Sequence, residues 1–152
     1  SLSADNTWTG TQTFNGTTAK FGASLLSASE DFYTIAAAPS STQAIYVNNG
    51  AVQYFTTSAA NNWTPNFAFS SGTSLNTALA TGKSMTITIL TTQGSTAYFS
   101  NAVQIDGSSV TVNWQGGAAP TAGNPSGIDV YRYAILKTAS ATFTVLASLT
   151  QY

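Results

Sequence analysis

The sequence predicts an all-β protein: an antiparallel β-sandwich or jelly-roll-like domain over residues 28–152, preceded by a short extended β segment over residues 1–27. Three observations carry that expectation. β-branched and aromatic residues abound while Glu and Lys are nearly missing, apolar and hydroxyl side chains alternate at period two, and Gly or Asn-Gly turns recur between the runs. Many short strands separated by turn signals fit a sandwich better than alternating β and α units.

The first segment differs from the rest. Trp8-Thr9-Gly10-Thr11-Gln12-Thr13-Phe14-Asn15-Gly16 is a polar β stretch with widely spaced aromatics and too little apolar surface to fold alone. Trp8, Thr9, Gln12 and Phe14 are therefore expected to make oligomer or anchor contacts. The change in character near residues 27–31 sets the boundary. Beyond it, strands are expected at 44–47 and 51–55, joined as a hairpin through Asn48-Asn49-Gly50, because Asn-Gly readily supplies the positive φ angles of a tight turn. The one helix candidate is 74–80, where Leu75, Ala78 and Leu79 fall at helical spacing.

Met85, Ile87 and Ile89 then alternate with Ser84, Thr86 and Thr88, a half-buried strand with one hydroxyl face. Residues 97–105 lead into Asp106-Gly107, and Val110, Val112 and Trp114 alternate outward, a second hairpin. Residues 115–127 hold four Gly and two Pro and read as an irregular loop, of a length usually given to function or to an interface. Strands at 128–137 and 141–149 close the chain.

The composition narrows the function. Charged residues make up 6%, against about 25% in typical domains. Three Trp, seven Tyr and eight Phe nevertheless supply a core, so the surface must be built from Ser, Thr, Asn and Gln. Without Cys there is no disulfide or thiolate metal site. Stability must come from burial and β-pairing, with self-association as the usual supplement.

Lys20, Lys83, Arg132 and Lys137 are scattered and form no basic face, so no nucleic-acid partner is expected. No run approaches the roughly 18 apolar residues of a membrane helix, so no membrane insertion is expected. Ser1-Leu2-Ser3-Ala4-Asp5 carries no signal-peptide pattern and no initiator Met, which reads as a processed chain or a piece of a longer one.

Catalytic chemistry finds little to use. No His is present, which excludes Ser-His-Asp and Cys-His sites, and there is no phosphate-binding Gly loop. The five carboxylates are Asp5, Glu30, Asp31, Asp106 and Asp129. A glycosidase needs two of them facing each other. Glu30 and Asp31 are adjacent and, on a strand, point to opposite faces, and two side chains offer too few oxygens for calcium. Asp106 reads as a hairpin residue. Asp129 reads as a solvated charge or a local partner of Arg132 or Lys137. No catalytic residue, no cofactor and no metal is expected.

Tyr54-Phe55, Trp63, Phe67, Phe69, Tyr98-Phe99 and Trp114 exceed what one sandwich face needs. Most are expected in the core or at a subunit interface. Aromatic rings beside amides also suit carbohydrate, and on that ground Trp63, Trp114 and Gln115 are the candidate surface-recognition residues.

Two stretches resemble known proteins. Asn6-Thr7-Trp8-Thr9-Gly10-Thr11-Gln12-Thr13-Phe14-Asn15-Gly16 resembles repeats of phage tail fibres, which form intertwined trimeric β stems. Across roughly 75–152, Tyr98-Phe99-Ser100-Asn101-Ala102-Val103-Gln104-Ile105-Asp106-Gly107, Trp114-Gln115-Gly116-Gly117, Ile128-Asp129-Val130-Tyr131 and Thr142-Phe143-Thr144-Val145-Leu146-Ala147-Ser148 resemble C-terminal modules of virion structural proteins from marine phages, cyanophages among them. The resemblance implies a non-enzymatic protein of the virion exterior, a fibre or appendage module in host attachment. Its partners would be its own copies in a homotrimer, capsid or tail proteins, and a host surface glycan or protein. A capsid decoration protein, and a subunit of an extracellular filament or adhesin assembled by strand donation, are the alternatives.

Overall fold

Side chains of a β-strand alternate between two faces, and here that alternation builds two sheets with an apolar layer between them. The computed structural model describes residues 31–152, which form one compact unit, Asp31–Tyr152. The segment expected at 1–27, with Trp8, Thr9, Gln12 and Phe14, lies outside the described residues.

The strands are β1 Tyr33–Ile35, β2 Thr42–Tyr46, β3 Val52–Phe55, β4 Thr64–Ala68, β5 Ser84–Thr92, β6 Val103–Ile105, β7 Ser108–Val110, β8 Val112–Trp114, β9 Ile128–Ala139 and β10 Thr142–Gln151. One short helix, α1 Leu75–Ala78, lies between β4 and β5. The larger sheet has the order β1-β3-β5-β9-β10-β8 and the smaller the order β2-β4-β6-β7.

The all-β expectation holds, but the sheets are mixed rather than antiparallel. Only β5–β9, β9–β10 and β6–β7 are antiparallel, while the other five pairings are parallel. The cause is the path of the chain. From β1 to β6 it changes sheet at every connection, so strands that become neighbours are two crossings apart and run the same way.

The expected hairpin at Asn48-Asn49-Gly50 is one of these crossings, not a hairpin. β2 and β3 belong to different sheets, linked by a 3-10 turn at Val47–Asn49. A tight Asn-Gly hairpin needs positive φ at both central residues, and here only Gly50 has it, at 136°. Gln53, buried at 1% exposure, holds the arch by donating to the carbonyls of Tyr46 at 2.8 Å and Gly50 at 3.2 Å.

The second expected hairpin does form. Asp106 and Gly107 have φ of 51° and 81°, and β6 pairs antiparallel with β7. Its strands are shorter than expected, because residues 97–102 are irregular and the chain changes sheet between β7 and β8. Asp106 also leaves its own turn, accepting from the backbone N–H groups of Leu75 at 2.6 Å and Asn76 at 2.8 Å. With Ser74 capping Thr77, this satisfies the first turn of α1.

The core lies between the sheets. Ile45, Phe67, Val103 and Ile105 of the smaller sheet face Phe55, Ile87, Ile89, Tyr133, Ile135 and Val145 of the larger. Aromatic rings bridge the layers, Phe67 on Tyr133 at 5.2 Å and Trp63 on Tyr131 at 5.4 Å. Burying one such side chain stabilises by about 1.5–3 kcal/mol, against about 1 kcal/mol at most for a surface ion pair. A chain with 6% charged residues loses little by lacking the latter.

Candidate functional site

The candidate site lies at the β8 edge of the larger sheet. β8 runs parallel to β10, with Val112 opposite Val145, Asn113 opposite Leu146 and Trp114 opposite Ala147. Trp114 therefore shares the inward side with Ala147, and its ring meets Tyr133 edge-on at 6.3 Å. At the sheet edge no neighbouring strand covers it completely, so it stays half-buried. Directly after Gln115, Gly116 and Gly117 take φ of 77° and 81°, a conformation that favours glycine, and turn the chain into the 118–127 loop.

That loop is held by a buried carboxylate. Asp129 is fully buried on β9, where it accepts from Gln93 Nε2 at 3.0 Å and from the Asn124 backbone N–H at 3.2 Å. Gln93 also donates to the Tyr98 carbonyl at 2.7 Å and accepts from the Tyr98 N–H at 3.0 Å, so one carboxylate ties two loops together. Gly123 fits between them. A Cβ there would stand 2.4 Å from the Tyr98 carbonyl oxygen and 2.9 Å from the Asp129 carboxylate. The far end of the loop is pinned by Asn124 Nδ2 on the Tyr152 carbonyl at 2.8 Å and by Gln151 Nε2 on the Ala122 carbonyl at 3.3 Å.

Burial raises the Asp129 carboxyl above its ordinary value, and the hydrogen bonds from Asn124, Gln93 and Gln151 only partly oppose it. Burial likewise pushes up the hydroxyls of Tyr131 and Tyr133. Both rings serve as neutral core material, Tyr131 accepting from the Ser100 N–H at 3.0 Å.

Two depressions result. One, of about 610 Å³, lies between Trp114-Gln115, the 118–123 wall and Ser148–Gln151 of β10. The second, of about 440 Å³, continues from it along Asn113, Leu146, Ser148 and Arg132. Trp114, Gln115 and Ser148 line both. The arrangement offers amides and hydroxyls beside the half-buried Trp114 ring, with the single Arg132 guanidinium on the outward side of the sheet. That suits binding of a polar, hydroxyl-bearing ligand.

Of the candidate recognition residues, Trp114 and Gln115 are brought together at this cleft. Trp63 is not. It is 2% exposed, packed on Phe55 and Tyr131, and a ring so placed presents no face to a ligand.

Asp129 is neither solvated nor paired with Arg132 or Lys137. It faces inward with Tyr131, Tyr133, Ile135 and Lys137, while Arg132 faces outward. Lys137, 7% exposed at the other end of that inward row, donates through Nζ to the Asn76 carbonyl. The shared parity of Asp129 and Lys137 with the core tyrosines was the available signal for both. Gln93 carried no local signal.

Asp106 and Asp129 are each committed to backbone donors of different elements, α1 and the 118–127 loop. Among the described residues no three His, Cys, Asp or Glu side chains group as metal ligands, and Glu30 lies outside them. No helix among them is long and apolar enough to cross a membrane. Comparison with protein-family models, with curated proteins and with solved structures finds no match to this chain.

Proposed function

We propose that this chain is a non-enzymatic structural protein of a tailed-phage exterior, a trimeric fibre or appendage module that attaches to a surface glycan of the host. The observation that carries the reading is the Trp114-Gln115 cleft, walled by a loop that a buried carboxylate fixes in place. A preformed wall lowers the ordering cost of binding. Neutral amides and hydroxyls match sugar hydroxyls, and an aromatic edge adds apolar contact. Single sites of this kind are weak, and threefold repetition on a virion would convert weak sites into avidity.

One observation weighs against a filament built by strand donation. On the free side of edge strand β2, the carbonyl of Thr42 accepts from Ser40 Oγ at 2.9 Å and that of Ala44 from Gln43 Nε2 at 2.9 Å. An incoming strand would have to displace both side chains. Capsid decoration uses the same surface chemistry with a different partner.

The test is binding of the purified chain to cell-surface polysaccharides on a glycan array, with Trp114→Ala beside wild type. Saturable binding that drops in the variant, and drops likewise in Gln115→Ala, while each variant keeps a cooperative unfolding transition above the assay temperature, supports the reading. Absence of binding to any glycan, or binding indifferent to Trp114, rejects it.

A further inference from the structure

We infer that the ligand of this cleft is an acidic glycan whose carboxylate is held by Arg132. The inference rests on the glycan reading of the Trp114 cleft and deepens it. The register of the larger sheet fixes where Arg132 stands. Thr88 of β5, Arg132 of β9 and Ser148 of β10 form one outward-facing row, and Ser148 borders Gln115 in the cleft. The adjoining row carries Thr86, Ala134, Leu146 and Asn113.

Arg132 is exposed, and the one side-chain hydrogen bond it makes among the described residues is long, from a terminal guanidinium nitrogen to Thr150 Oγ1 at 3.4 Å. No carboxylate among the described residues pairs with it. Asp129 is buried on the opposite face of the same strand, and Asp106 is bound to α1.

A guanidinium offers five N–H donors in a planar fork that matches a carboxylate with two parallel bonds. Among the described residues most of that fork is left unengaged. In a chain with so few charges, a lone outward arginine beside an otherwise neutral cleft marks the charge of what binds there. Ser148, Gln115 and Asn113 stand beside it with neutral donors and acceptors around a mainly apolar floor of Ala134 and the half-exposed Leu146, the chemistry of a sugar's hydroxyl rim and apolar face rather than of a multiply charged surface. The strip follows β10 from Leu146 to Gln151, about 16 Å at the strand rise, long enough for a saccharide chain rather than a single ring.

Calorimetric titration of the full chain tests this with three probes: an oligosaccharide of a hexuronic acid, its carboxyl-reduced neutral counterpart and a sulfated neutral counterpart. Arg132→Gln and Arg132→Lys are titrated beside wild type. Wild type is expected to bind the uronate about ten- to a hundredfold more tightly than the neutral form, with the preference shrinking in high salt. Arg132→Gln removes the preference, and Arg132→Lys, which keeps the charge but not the fork, restores part of it.

Equal binding of acidic and neutral forms overturns the carboxylate assignment while leaving the glycan reading in place. So does a preference that survives Arg132→Gln. Tighter binding of the sulfated form moves the assignment from carboxylate to sulfate and overturns it as stated. Failure of every probe to bind wild type overturns the inference together with the reading beneath it.

Discussion

The Asp129 carboxylate accepts a hydrogen bond from the Asn124 backbone N–H at 3.2 Å, from a fully buried position on β9. That contact joins the core to the loop that walls the cleft. Asp129→Ala leaves the Asn124 N–H and one of the two Gln93 Nε2 hydrogens without an acceptor, the other staying on the Tyr98 carbonyl, and unsatisfied buried donors cost about 1–3 kcal/mol. The urea midpoint should fall accordingly, and amide exchange at Asn124 should quicken well before global unfolding.

The pH dependence has a defined sign. Burial raises the Asp129 carboxyl above the ordinary 3.8, so the folded domain holds this proton to higher pH than the unfolded chain does. Its contribution is full below the unfolded value and is lost as pH rises through the raised folded one. Tyr131, raised chiefly by burial and further by the Asp129 charge, stays neutral across this window and adds nothing to the trend. The stability difference between wild type and Asp129→Ala should therefore grow as pH falls from 7 toward 4. A difference that shrinks over that window would mean the hydrogen bonds outweigh desolvation.

Gly123→Ala tests the loop wall without touching a charge. A Cβ 2.4 Å from the Tyr98 carbonyl oxygen cannot be accommodated in place, so the loop must shift. Overpacking of this kind costs about 1–3 kcal/mol. Glycan affinity should fall along with the thermal midpoint, and Tyr98 and Asn124 should show the largest amide chemical-shift changes.

Asp106→Ala removes the acceptor of two α1 N–H groups and places alanine at φ 51°. The lost caps cost about 1 kcal/mol and the strained turn about as much again. Asp106→Asn keeps one acceptor and tolerates the turn, so it should recover a good part of the loss in thermal denaturation.

Self-association is tested on the full chain by native mass spectrometry. Wild type should give a discrete trimer that survives dilution. Trp8→Ala with Phe14→Ala should release monomers of unchanged secondary structure.

The strands were legible because alternation at period two depends on neighbours two residues away, as at Met85, Ile87 and Ile89. The Asp106-Gly107 turn was legible because both residues take the positive φ that their types favour. The same signal misled at Asn48-Asn49-Gly50, where only the glycine does so and the chain crosses to the other sheet. Parallel pairing had no local trace, since it depends on where each crossing lands.

In the cleft, Trp114 and Gln115 could be read from type and sequence, but the fixing of their wall could not. Gln93 meets Asp129 across 36 positions, and nothing near either residue announces the other. Trp63 was indistinguishable from Trp114 by type, and depth in the core separates them.

The most direct measurement is titration of the purified chain with host-surface polysaccharide, followed by sizing of the polysaccharide. Binding that saturates, drops at least tenfold in Trp114→Ala with Gln115→Ala, and leaves the polysaccharide at its original length is the predicted result. Shortened polysaccharide, or no binding by wild type to any surface glycan, would contradict a non-enzymatic attachment module.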